Sequence, residues 1–201
     1  MKKIYENRTT KVLLMLFIIN ISTLAQSVEY EIIKLSDSFM RANSISEAGH
    51  IAGEIRDDNS VGQAFLWKND TLTIIPRPQA PDGWSIFGIS AKGCNSLGHV
   101  VGNVSIRNLN DNLKIQNLGF YYDGATTKII SNGGITYVNA INDSNIIVGS
   151  AISDGGTSLV GFYLNDNDII NIPTLGPNGT NPFAINNLNE IVGNSGLSDG
   201  S

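Results

Sequence analysis

The sequence predicts an all-β repeat protein: four-stranded antiparallel blades in a propeller-like array, a partial propeller rather than a closed ring. A short pattern occurs four times, between residues 42–54, 91–103, 138–150 and 182–194. Its core reads small residue, aliphatic position, Ser or Asn, two variable positions, Gly or Asn, one variable position, Ile or Val, small aliphatic, Gly. The closing glycines, Gly53, Gly102, Gly149 and Gly193, stand 49, 47 and 44 residues apart. That period belongs to architectures in which one small sheet cannot bury its own face and must stack on a neighbour. The second half of the unit recurs as well, and no segment after residue 25 keeps a helical period.

Taken in order, residues 1–25 read as a signal peptide. Lys2, Lys3, Arg8 and Lys11 precede an apolar run at 12–21 that is short for a bilayer, and Ser22-Thr23-Leu24-Ala25 offers small residues for cleavage after Ala25. An uncleaved anchor is the alternative. Val28 to Leu35 follows as a strand resembling the last strand of a unit. Within each copy, Ser46, Asn95, Asn142 and Asn186 open a turn whose fourth position is Gly49, Gly98, Asn145 or Asn189. Ser and Asn favour the start of a type I turn, and Gly and Asn enter the left-handed region most cheaply. A hairpin with a bulge of the G1 kind needs that pairing.

The third strands are 63–67, 118–122 and 160–164, each with a small residue before Phe65 or Phe120 or Phe162. Turn formers follow each, and runs at 71–75, 126–130 and 168–172 close the units. A glycine at the end of the pattern implies a bulge or a close backbone approach between neighbouring sheets. Gly102→Val is therefore expected to cost about 1–3 kcal/mol. Pro76 to Ile86 reads as an inter-unit loop, with Trp84 exposed for stacking or capping the gap between two units.

The fourth copy is followed by the polar run 195–201 instead of a third strand. Three and a half units predict an open array that leaves a sheet face and a strand edge bare. Residues 26–201 are expected to dimerise or aggregate through that edge at micromolar concentration, a light-scattering measurement.

Charge narrows the partners. The 201 residues carry a formal net charge of −5; setting aside 1–25, with four Lys/Arg and one Glu, leaves 9 basic and 17 acidic residues, net −8. A chain with that balance and no basic run repels nucleic acid and anionic lipid, so neither is expected as a partner once the signal is removed. The single cysteine, Cys94, holds the aliphatic position of the second copy and reads as a small buried hydrophobe.

The run Ile-Asn-x-x-Asn-x-Ile-Val-Gly at 141–149 and 185–193, with Ala64-Phe65-Leu66-Trp67, resembles the HAF repeats of bacterial extracellular repeat proteins. The likeness covers about residues 40 to 195. That family takes its name from a His-Ala-Phe tripeptide, and Gln63, Leu118 and Val160 stand where the His would be. The resemblance implies an exported, propeller-like all-β protein, periplasmic or at the cell surface, and brings no catalytic residues.

Chemistry-bearing residues are sparse. His50 and His99 share one repeat position and read as exposed, turn-side histidines one blade apart. A Ser-His-Asp or zinc site has little to draw on. Asp57, Asp58, Asp111, Asp123, Asp143, Asp154, Asp166, Asp168 and Glu190 could supply a glycosidase pair, but nearly all fall at turns that favour Asp for itself. The clusters at 108–112 and 165–168 lack EF-hand spacing and read as loops rather than Ca²⁺ sites. No catalytic, cofactor or metal residue is assigned. The expected function is a non-enzymatic exported repeat protein presenting loops to a protein or glycan. The alternatives are a carbohydrate-active enzyme and a surface-structural module without a ligand.

Overall fold

The computed structural model describes residues 34–35, 39–56, 61–111, 113–152 and 155–197. The predicted signal peptide and all but the last two residues of the expected strand at 28–35 lie outside them, as do Asp57, Asp58 and Asp154. The described residues form fourteen strands and no helix. The first sheet holds β1 (Met40–Ile45), β2 (Ile51–Arg56), β3 (Gly62–Lys68) and β4 (Thr71–Ile74). The second holds β5 (Trp84–Cys94), β6 (Val100–Asn108), β7 (Ile115–Tyr122) and β8 (Thr127–Ile130). The third holds β9 (Ile135–Ile141), β10 (Ile147–Ile152), β11 (Val160–Asn165) and β12 (Asp168–Asn171). The fourth pairs only β13 (Thr180–Ile185) with β14 (Ile191–Ser195). Every sheet is an antiparallel meander in chain order, and none closes on itself among the described residues.

The turn chemistry read from the sequence is in place. The N–H groups of Gly49, Gly98, Asn145 and Asn189 donate to the carbonyls of Ser46, Asn95, Asn142 and Asn186 at 2.9–3.1 Å. All four donors have positive φ, between 62° and 86°. Three residues before the first turn residue, the first strand skips a register step at Asn43, Lys92, Asn139 and Phe183. The closing glycine pairs beside that bulge. Of the two expected alternatives the bulge is the one present, on the strand opposite the glycine, and the close approach is to the glycine's own sheet rather than to a neighbouring one. A Cβ on Gly102 would collide with the Ser90 carbonyl oxygen and come within 2.8 Å of the Phe120 ring. Gly53 and Gly149 face Phe65 and Phe162 in the same way.

Successive sheets pack face to face, the second and third strands of one against the first strand of the next. Strand β6 is covered on both sides. Val100, Val104 and Ile106 join Ala52, Leu66, Ile75 and Ile89 in the core between the first two sheets, while Val101 turns the other way toward Val138, Ile141 and Phe162. That period of two buries both faces of one strand, so it carries a nearly continuous apolar run. Cys94 is buried as read, its thiol 3.2 Å from the His50 carbonyl, and burial pushes its pKa up.

Trp84 corrects the expected loop. It begins the eleven-residue strand β5 and packs against the core between the first two sheets, with Lys114 Nζ 5.7 Å from its ring centroid. The cause is β6, which runs on to Asn108 and so gives the Trp84–Ile86 backbone a partner.

Two of the loop acids, Asp111 and Asp123, act as turn acceptors. Asp123 takes backbone N–H bonds from Thr126 at 2.7 Å and Ala125 at 2.9 Å, and these hold its carboxyl down to about 2. Because the folded pKa lies below the unfolded value of about 4, the gain is present above that pH and is lost as pH falls toward 2. Asp123→Ala should therefore lower the urea midpoint near neutrality, with the gap to the parent closing below about pH 3.

Candidate functional site

The turn end of the sheets carries a relay of asparagine side chains. In each of two repeats, Oδ1 of the first turn residue accepts N–H groups of its own turn: Leu97 and His99 on Asn95, Ser144 and Ile146 on Asn142, at 2.9–3.1 Å. The Nδ2 group of the same side chain then reaches the next repeat. Asn95 donates to the Asn142 carbonyl at 3.0 Å and to Asn145 Oδ1 at 2.9 Å. Asn142 donates to the Asn186 carbonyl at 3.0 Å and to Asn189 Oδ1 at 2.7 Å. The residue beside it repeats the step, with Ser96 N donating to Asp143 Oδ1 and Asp143 N to Asn187 Oδ1. The Ser96 N–H bond draws the Asp143 carboxyl below its ordinary pKa.

Both histidines belong to this relay, which overturns the reading of them as exposed. His50 is only 6% exposed and its Nδ1 donates to the Asn95 carbonyl at 3.2 Å. The first repeat has Ser46 where the others have Asn, and His50 supplies the missing donor. His99 Nδ1 lies 2.7 Å from Asn145 Oδ1 and 2.9 Å from the Tyr121 hydroxyl, its ring edge-on to the tyrosine. First-strand ends from all four sheets line a hollow of about 170 Å³ here, with Ile45, Cys94, Ile141 and Ile185 around it.

A larger groove, about 630 Å³, opens away from the turns and is lined by residues of the first three sheets. Its existence follows from a break in the repetition. Strands β5, β6 and β7 have 11, 9 and 8 residues, against 6, 6 and 7 for β1 to β3 and 7, 6 and 6 for β9 to β11. The second sheet therefore projects past its neighbours, with a second bulge between Ile86 and Gly88 where it leaves them.

The groove gathers Arg56, Lys92 and Arg107, three of the nine cations that follow residue 25, with Glu54 as its carboxylate among the described residues. Arg56 Nε sits 3.5 Å from Glu54 Oε1 and its guanidinium lies 5.8 Å from the Phe39 centroid. Arg107 stands 5.0 Å over the Phe87 ring. Asn103 spends its Oδ1 on the Val138 N–H at 2.8 Å, leaving its amide donor to the groove side. Ser105 donates to Asn117 Oδ1 at 2.9 Å, and Ser90 Oγ is buried with no partner. Tyr137 adds an aromatic wall. Guanidinium groups pre-oriented over rings suit a carboxylate or sulfate, and amides beside an aromatic face suit hydroxyls.

Sequence reasoning did not single out these residues, because Arg56, Lys92 and Arg107 stand at three different repeat positions. Compared with family models, curated proteins and solved structures, the chain matches none.

Proposed function

We propose that this is an exported, non-enzymatic β-repeat protein that binds an acidic glycan in the groove beside the second sheet. The blades form a propeller-like array of the HAF-repeat kind. Support for that arrangement comes from the serial packing of sheets and from the first-strand ends gathered round one hollow.

The observation that carries the function is the elongated second sheet. A purely structural repeat has no use for one unit longer than the rest, and the extra length is what raises three cations, four amide or hydroxyl side chains and two rings around one groove. Its volume falls in the range of ligand sites, about 300–1,000 Å³. The chain as a whole is anionic, but screening confines each charge to about 8 Å at physiological salt, so the groove's own cations set the local preference. A binding reading is favoured over glycoside hydrolysis because Glu54 is already tied to Arg56, and no second described carboxylate stands with it.

The test is titration calorimetry of the full chain with oligouronates and with neutral oligosaccharides of equal length. Oligouronate affinity should exceed neutral affinity, fall with added salt, and drop about tenfold in Arg107→Ala. Equal affinity for both sugars, or an Arg107→Ala variant that binds as the parent does, rejects the proposal. Cleavage of the sugar would establish the enzyme reading instead.

A further inference from the structure

The groove beside the second sheet holds two guanidinium groups, and each lies against a phenylalanine ring of its own sheet. Arg107 stands 5.0 Å from the Phe87 centroid. Phe87 is the residue that the second bulge of β5 leaves out of the ladder, between Ile86 and Gly88, and a bulge re-aims the side chain it carries. Arg56 stands 5.8 Å from the Phe39 centroid, and its backbone N–H donates to the Phe39 carbonyl at 3.4 Å. Glu54 Oε1 meets Arg56 at Nε, 3.5 Å away, and not at the terminal pair of nitrogens. Neither ring belongs to the repeat. A shift of 49 residues, the spacing of Gly53 and Gly102, sets Phe39 on Gly88 and Phe87 on Ser38. Among the described lining residues three cations face one carboxylate, which leaves two positive charges for a ligand to meet.

We propose, resting on the glycan reading above, that the groove takes a polyuronate segment and grips two of its carboxylates at once, one on each ring-backed guanidinium. A planar guanidinium offers paired N–H donors that match the two oxygens of a carboxylate. The ring behind it holds that plane in place before the ligand arrives, so less side-chain freedom is lost on binding. Arg56 and Arg107 stand on neighbouring sheets that pack face to face, and such faces lie about 10 Å apart. The two gripped acids therefore sit on different sugars, with Asn103, Asn117 and Tyr137 left to the hydroxyls between them. Once one acid is held, the second binds within the same complex, and affinity rises with no new kind of contact.

The experiment is titration calorimetry of the full chain against oligouronates, from the monouronate up to about six sugars, one length at a time. Affinity should step up about tenfold or more at the first length that reaches both guanidiniums, and change little beyond it. In Arg56→Ala and in Arg107→Ala the step should vanish, long and short oligomers binding alike. Phe87→Leu should shrink the step about threefold and Phe87→Tyr should restore it, since only an aromatic face holds the guanidinium. Binding of oligouronates with no step, or a step that survives either arginine variant, overturns the inference and leaves the glycan reading standing. Failure of every oligouronate to bind overturns both. A two-carboxylate peptide that binds as tightly as the long oligomer would assign the pair of guanidiniums to a protein partner and overturn the inference equally.

Discussion

Gly102→Val is expected to destabilise the protein by about 3–5 kcal/mol, more than the glycine pattern alone suggested. Gly102 has no positive φ, so backbone strain is not the cause. The cause is space. A Cβ at 102 is driven into the Ser90 carbonyl oxygen on one side and the Phe120 ring on the other, in a strand covered on both faces. The carbonyl cannot retreat without breaking the β5–β6 ladder beside its bulge, and Phe120 is fully buried with no room to turn. Gly102→Ala already carries the colliding atom, so it should cost about 2 kcal/mol or more. Urea melts of both variants check this. An alanine variant with the parent's midpoint would mean that the ring and the carbonyl are not where the packing places them.

Asn142→Leu is expected to cost about 3–4 kcal/mol, because one side chain closes two repeats at once. Leucine is close in size, but it strips the acceptor from Ser144 N and Ile146 N and the donor from the Asn186 carbonyl and Asn189 Oδ1. Asn142 is buried, so water cannot readily replace those bonds. Asn142→Ser separates the two halves of the role. Serine keeps a local acceptor, as Ser46 does for the His50 N–H in the first repeat, but reaches no further. Its cost should be about half that of leucine. If the serine variant is as unstable as the leucine one, the cross-repeat bonds carry the whole effect; if it matches the parent, they carry none.

Much of the fold was legible because its determinants are local. The Ser/Asn-x-x-Gly/Asn turns came from side chains that bond their own backbone and from residues that tolerate positive φ, and both operate within five residues. The third strands at 63–67, 118–122 and 160–164 were placed within a few residues for the same reason. Strand β5 was not. Residues 84–86 resemble a continuation of the Pro-rich loop, and only the reach of β6 to Asn108 makes them a strand.

The histidines show the same division. Their repeat position, one residue past the turn glycine, is a surface position by local rules. They are buried or half-buried because the next repeat lies on them, and a repeat's neighbour is not written into its own turn. A trace of the relay does exist in the sequence. Asn95 and Asn142, which have an amide to give, are each followed one repeat later by Asn145 and Asn189, which have an oxygen to take it. Ser46, which has none to give, is followed by Gly98, which takes none.

The sequence by itself determined an all-β chain of recurring antiparallel hairpins, the residues that turn them, and the phenylalanines and Cys94 that fill them. Each of those follows from periodicity and from short-range backbone preference. Tertiary structure alone decided that the closing glycines lie under phenylalanine rings of their own sheets, that the histidines bridge repeats, and that Arg56, Lys92 and Arg107 meet in one groove. The first depends on how second and third strands pair across a connection of variable length, glycine and ring being 12 to 18 residues apart. The other two depend on which surfaces come within a few ångströms of each other when sheets stack, and residues in different repeats carry no local mark of that distance.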